Sequence, residues 1–206
     1  MKILDVTFKR KVNCSANVCL WNHWDGDHIN YIHGGMYNET EIFYEDDRVV
    51  LFYHKLKIPL IPFIKISTID MTALKDKNTV CTYGFQFGIP SLSTAVYKDV
   101  GKDKCSVTVN YKFKFTGLQI LLYPLIKFLL PKWNNRTWHE DLPLKLRRQK
   151  ITRLNFKDYK GLPANTKDRK FLGPVNFKLP IRRLKKSDNK LIKHPFYNFG
   201  KKGTQI

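Results

Sequence analysis

The sequence predicts an α+β domain, a seven-stranded antiparallel sheet around a long C-terminal helix. Three observations carry this. Six β-branched and aromatic runs follow one another between residues 36 and 115, with turn residues between them. One strand and one helical segment precede them. A long helix-forming stretch follows, and its apolar residues have only one sheet face left to cover.

In order along the chain, Ile3–Val12 alternates as a strand, with Val6, Phe8 and Arg10 on one side. Residues 15–34 read as helical. Strands then run over Met36–Glu45, Arg48–Ile58, Ile61–Leu74, Thr79–Gly88, Leu92–Val100 and Cys105–Phe115. The turns are Glu45-Asp46-Asp47, Lys75-Asp76-Lys77-Asn78 and Gly101-Lys102-Asp103. Gly117–Lys150 reads as a long helical region broken near Pro124, Pro131 and Pro143. One strand, a helical segment, six strands and a last helix make a helix-grip order. Over residues 1–155 this resembles the START/Bet v 1-like superfamily. The resemblance implies an apolar cavity between the sheet and the last helix.

Residues 22–33, Asn-His-Trp-Asp-Gly-Asp-His-Ile-Asn-Tyr-Ile-His, reduce to N-x2-D-x2-H-x4-H. This pattern resembles the iron-site motif in the catalytic domain of Rieske-type non-haem oxygenases, which belongs to the same superfamily. The resemblance makes His28 and His33 ligands of a mononuclear Fe(II), with Asn22 beside them. It gives Asp25 the catalytic role of orienting His28 or relaying electrons. The residue types suit this, because neutral imidazoles and one carboxylate form a facial triad that leaves positions open for dioxygen and substrate. The spacing sets a condition. On an ideal helix, residues five apart point about 140° away from each other. A π-bulge or a local break must therefore bring His28 and His33 together. Gly34-Gly35 would end the segment and leave His33 in a last turn.

The same resemblance places the third ligand on the C-terminal helix, often in a Glu-Asp pair. Asp141 is the match here, with Glu140 as its neighbour. The residues leave other readings of Asp141 open. It precedes Pro143 and could cap a helix that resumes at Leu144, or it could pair with Arg147 or Arg148. His139 reads as a surface or cap residue and is a substitute ligand if Asp141 faces away.

Composition bounds the rest. The 206 residues suggest one domain with an extension and enough chain for a sizeable core. No secretory signal is visible. Cys14, Cys19, Cys81 and Cys105 lack metal-site spacing and read as reduced, buried thiols in a cytosolic setting. A Rieske cluster needs a C-x-H and a C-x2-H pair. Neither occurs, so the resemblance implies no Fe–S cluster in this chain and electrons from a separate ferredoxin or reductase.

The net charge is +20 and uneven. Residues 1–150 carry 22 Lys and Arg against 14 Asp and Glu, whereas residues 151–206 carry 15 against 3. Residues 156–206 therefore read as a basic C-terminal extension, pinned to the domain by aromatics such as Phe171, Phe177 and Phe196. Arg182, Arg183, Lys185 and Lys186 are its candidate contacts with an anionic membrane surface. The apolar stretch Phe115–Trp133 is too interrupted to span a bilayer. It reads as the gripping helix facing the cavity or as an interfacial segment. Nucleic acid is the weakest partner class: a pI of about 9.8 suits it, but no zinc-finger spacing, RNP-like motif or helix-turn-helix pattern appears. Three functions compete. One is an iron oxygenase-like domain acting on an apolar or aromatic substrate. Another is a START-like carrier of an apolar ligand, and the last is a basic interaction module.

Overall fold

The computed structural model describes residues 1–33, 37–45, 48–58, 61–86, 88–153 and 195–196. β1 (Lys2–Val12) leads into two short helices, α1 (Ala16–Trp21) and α2 (Gly26–Ile32). Six strands follow: β2 (Tyr37–Glu45), β3 (Val49–Ile58), β4 (Ile61–Asp76), β5 (Thr79–Gln86), β6 (Ile89–Gly101) and β7 (Lys104–Phe115). A 3-10 turn (Gly117–Leu122) then enters α3 (Tyr123–Arg153). All seven strands form one antiparallel sheet in the order β1-β7-β6-β5-β4-β3-β2. Consecutive hairpins build β2 to β7, and β1 closes the far edge by pairing with β7 from Lys2↔Phe115 to Val12↔Cys105. The expected helix-grip architecture is the observed one.

Strand alternation divides the apolar residues between two faces. Val50, Phe52, Val80, Ala95, Tyr97, Val107 and Val109 turn inward, to the side of α1 and of Trp138 on α3. Val49, Leu51, Met71, Cys81 and Tyr83 lie on the other face, where Phe196 of the C-terminal extension packs against them. Phe196 is thus one pinning aromatic that the structure describes. Arg182, Arg183, Lys185 and Lys186 lie outside the described residues, as do Gly34, Gly35, Asp46 and Asp47.

Three local expectations need correction. The region read as one helical segment forms two helices, α1 and α2, with Gly34 outside the described residues. Ser15 caps α1 by accepting from Val18 N–H, Asp25 caps α2 by accepting from His28 N–H, and turns at His23 and Trp24 join them. The C-terminal region breaks only at the junction before Tyr123. Pro131 and Pro143 lie inside a continuous α3. Each proline frees the carbonyl four residues earlier. Those residues, Lys127 and His139, are exposed, as are both prolines, so water can satisfy the freed groups. Asp141 is therefore a mid-helix residue and not an N-cap.

The buried stripe of α3 explains what the helix does. Ile126, Leu130, Asn134, Trp138, Asp141, Lys145 and Arg148 recur every three or four residues. The stripe starts apolar against Phe113 and Phe115 and turns polar beside α2. The 3-10 turn and the opposite face of the first turns of α3 are apolar and exposed: Leu118, Leu121, Leu122, Leu125 and Phe128 all face solvent. Phe115–Trp133 is therefore a gripping segment on one side only. No helix among the described residues is long and apolar enough to cross a membrane.

Candidate metal centre

α2 carries the two histidines. His28 stands on its first turn, where its Nδ1 meets the carbonyl oxygen of Asp25 and its Nε2 points away from the cap. His33 is the residue that leaves the helix, with φ −99° and ψ 22°. Its N–H still donates to Ile29 O at 3.1 Å, so helical hydrogen bonding runs up to His33. The two ring centroids are 5.4 Å apart. The rings therefore meet without a break between them, by the directions their side chains take.

α3 supplies the carboxylate. Asp141 Oδ1 lies 3.4 Å from His28 Nε2 and 3.0 Å from His33 Nε2. The three side chains are buried. Their outer atoms are tied down: His33 Nδ1 meets Glu140 Oε2 at 2.7 Å, and Arg136 holds the other Glu140 oxygen at 2.7 Å. Asn22 Nδ2 donates to Asp141 Oδ2 at 3.1 Å and lies 3.4 Å from His28 Nε2. Lys145 Nζ donates to the same Oδ2 at 2.8 Å. Arg148 donates to Asn22 Oδ1 at 2.6 Å and to the Asp25 carboxylate, and its guanidinium lies 3.5 Å from the Trp21 ring centroid. The anticipated salt bridge of Asp141 to Arg147 or Arg148 is therefore replaced by Lys145, one helical turn away. His139 is exposed, outside the cluster.

The electrostatics follow. Burial would raise Asp141, but Lys145 and the hydrogen bonds from His28 and His33 outweigh it and hold the carboxylate well below its ordinary value. Burial would lower His33, but Asp141 and Glu140 raise it. Glu140 is lowered in turn, since Arg136 and His33 outweigh its burial.

The donor set fits one divalent ion. Bonds of about 2.1 Å at right angles put neighbouring ligand atoms about 3 Å apart, close to the spacings seen here. Each imidazole engages Nδ1 elsewhere and aims Nε2 inward, the outer-shell arrangement usual for metal-bound histidine. Loading the site would release the His33 Nε2 proton. A second group, Cys14, Cys19 and Cys105, also brings its ligand atoms within 4.8 Å of one another. These thiols are free and buried, as expected, but none lines the cavity and so none offers an open position.

His28, His33 and Asp141 face a cavity of about 190 Å³ between α2, α3 and the inner sheet face. Phe52, Ala95, Val109, Tyr111 and Trp133 supply apolar wall. His23 also lines it, hydrogen-bonded to Tyr97 at 2.6 Å and pushed down to about 3 by burial and by Lys145. Farther along lie His54 and Asp70. Sequence reading missed Lys145, His54 and Asp70. The i,i+4 spacing from Asp141 could have found Lys145. His54 and Asp70 occupy inward positions of strands that read as apolar, which is itself an available signal.

No family model matches this chain, and no curated protein matches it by sequence. Solved structures match by fold. The Zhui aromatase/cyclase from Streptomyces sp. R1128 aligns at a TM-score of 0.58 and 8% identity, over 71% of this chain and 96% of that one. Norcoclaurine synthase from Thalictrum flavum, in complex with dopamine and hydroxybenzaldehyde, gives 0.55 at 14% identity, over 71% and 88%. Ara h 8.0201 gives 0.55 at 10% identity, over 71% and 99%. These likenesses establish the Bet v 1-like helix-grip fold. None of them is to a Rieske oxygenase.

Proposed function

We propose that this chain is a mononuclear non-haem Fe(II) oxygenase-like catalytic domain acting on a small apolar or aromatic molecule in the cavity. One observation carries the reading. Two Nε2 atoms and one carboxylate oxygen converge while both Nδ1 atoms are held from behind. Fe(II) held by His28, His33 and Asp141 would supply dioxygen activation on the side facing the cavity. Lys145 and Asn22 occupy Asp141 Oδ2, which leaves Oδ1 as the single ligand oxygen. Asp25 fixes the His28 tautomer through its carbonyl and, through Arg148, links the α2 cap to α3. Phe52, Val109 and Trp133 exclude water from the reacting carbon. In the overall reaction one oxygen atom enters a C–H bond and the other leaves as water. Two electrons come from a separate donor protein and two protons from solvent. The START-like carrier reading shares the cavity but gives no reason for the convergent donors. The test is anaerobic reconstitution of the full chain with Fe(II). About one iron per chain is expected in the wild type and none in a His28→Ala, His33→Ala variant. Stoichiometric iron in that variant, or none in the wild type, overturns the assignment.

We also propose that the protein docks on an anionic membrane through the exposed row that runs from the 3-10 turn into the start of α3. Leu118 is 86% and Phe128 63% exposed, and Leu121, Leu122 and Leu125 complete one apolar face. Lys2 lies over the Tyr123 ring at 4.5 Å and Lys132 over Phe128 at 4.3 Å, so cationic groups flank that face. Each such charge adds about 1 kcal/mol near an anionic leaflet. Binding to vesicles containing phosphatidylserine should fall with salt and drop about tenfold or more in Leu121→Glu, Phe128→Glu. Binding unchanged by those substitutions removes the row from any membrane role.

A further inference from the structure

Asp70 is a buried carboxylate that the metal centre does not use. It is 8% exposed, and its Oδ1 has no hydrogen-bond partner among the described residues. Its carboxylate takes a hydrogen bond from the Phe85 backbone, and Oδ2 lies 3.7 Å from His54 Nε2, beyond hydrogen-bond reach. Oδ1 is sealed over Gly84, so the 11% of the side chain that stays open lies away from it, and a ligand would meet the carboxylate at Oδ2.

The surroundings make room for this carboxylate. A Cβ on Gly84 would stand 1.7 Å from Asp70 Oδ1. Glycine weakens a strand interior and marks places where another group must approach closely. His54 is held rigidly alongside. Its Nδ1 meets Thr40 Oγ1 at 2.9 Å, its ring stacks on Phe52 at 5.5 Å, and Tyr37 meets it edge-on at 4.9 Å. Asp70, His54, Thr72 and Thr82 line the same cavity as the triad. Tyr37 stands between the two groups, 6.3 Å from His33 and 4.9 Å from His54.

We propose that Asp70, with His54 beside it, anchors a hydroxyl group of the cavity ligand, so that the ligand is a hydroxylated ring compound and not a plain hydrocarbon. The chemistry selects this class. Burial pushes Asp70 up to about 7 and His54 down to about 3. His54 is therefore no counter-charge, and near neutral pH the carboxyl is divided between its two protonation states. A hydroxyl donates to the ionised form and accepts from the protonated one. An ammonium suits only the first, and a ligand carboxylate is repelled by it. The volume of about 190 Å³ suits one or two rings, since a cavity of about 150 Å³ can hold benzene. A ring fixed by its hydroxyl at Asp70 extends past Tyr37 toward His33. That orientation, though not the anchoring, rests on the proposed iron site.

The matched probes 2-naphthol and naphthalene test this by calorimetric titration of the full-length protein. 2-Naphthol is expected to bind about tenfold or more tighter. Asp70→Leu, which removes the anchor, and Gly84→Ala, which displaces it, should each bring 2-naphthol down to the affinity of naphthalene. The preference should persist in the His28→Ala, His33→Ala variant, and Asp70→Leu should keep the iron content of the wild type. Failure of the anchor is thereby distinguished from failure of the iron site. Equal affinities in the wild type, no binding of either probe, or a preference surviving in both Asp70→Leu and Gly84→Ala overturns the proposal.

Discussion

Asp141→Ala should destabilise the fold by about 3–5 kcal/mol, because it leaves a buried cation without its partner. The Lys145 side chain is only 4% exposed, with Nζ 2.8 Å from Asp141 Oδ2 and 4.0 Å from the Trp138 ring centroid. His28, His33 and Asn22 lose the same acceptor. The double variant Asp141→Ala, Lys145→Met should recover much of the loss, since the two groups are coupled. Urea unfolding midpoints measure both effects. The sign with pH follows from the lowered pKa of Asp141. Its contribution is fully present above the unfolded value of about 4 and is lost only as pH falls through the lower folded value. The gap between wild type and Asp141→Ala should widen as pH falls from 7 to about 5, because Asp141 also raises His33 and that contribution is fully present only below the unfolded histidine value, and it should shrink in stronger acid. A loss below about 1 kcal/mol at pH 7 would contradict this account of the Lys145 pair.

Arg148→Ala should have a comparable effect, about 3 kcal/mol or more, for a related reason. Arg148 is buried, and its guanidinium joins Asn22 on the loop after α1 to the Asp25 cap of α2 while lying over Trp21. Without it the Asp25 carboxylate and Asn22 Oδ1 each lose a charged donor. Both residues contact His28, so Fe(II) affinity should fall about 10–100-fold as well, as it does when outer-shell partners of metal ligands are removed. Arg148→Lys should restore charge but little of either property, because an ammonium cannot bridge two acceptors through a planar fork. Unchanged iron affinity in a folded Arg148→Ala protein would separate Arg148 from the site.

Strand positions were legible because alternation and turn residues are local signals. The sheet order followed from them, with β1 alone pairing over a long sequence distance. The convergence of His28, His33 and Asp141 was legible only as a pattern of residue types. The sequence stated the obstacle, a 140° mismatch, without saying how the chain resolves it. His28 and His33 meet by the directions their side chains take, which no periodicity encodes. α3 misled because Pro131 and Pro143 read as breaks. Whether a proline interrupts a helix depends on what its freed carbonyl faces, and that is a tertiary fact. The Asp141–Lys145 pair was hidden for the opposite reason. Its i,i+4 spacing is ordinary on any solvated helix, and only burial gives it weight. The cluster of Cys14, Cys19 and Cys105 joins residues 86 apart, where sequence spacing carries no signal.

In the function proposed here His28 Nε2, His33 Nε2 and Asp141 Oδ1 share one ion. Iron-edge anomalous diffraction from crystals of the Fe(II)-reconstituted protein tests it most directly. A single strong peak is expected about 2.0–2.2 Å from all three atoms, on the cavity side of the cluster. A peak at Cys14, Cys19 and Cys105 instead, or no peak beside His28, His33 and Asp141 in protein given excess Fe(II), would contradict it.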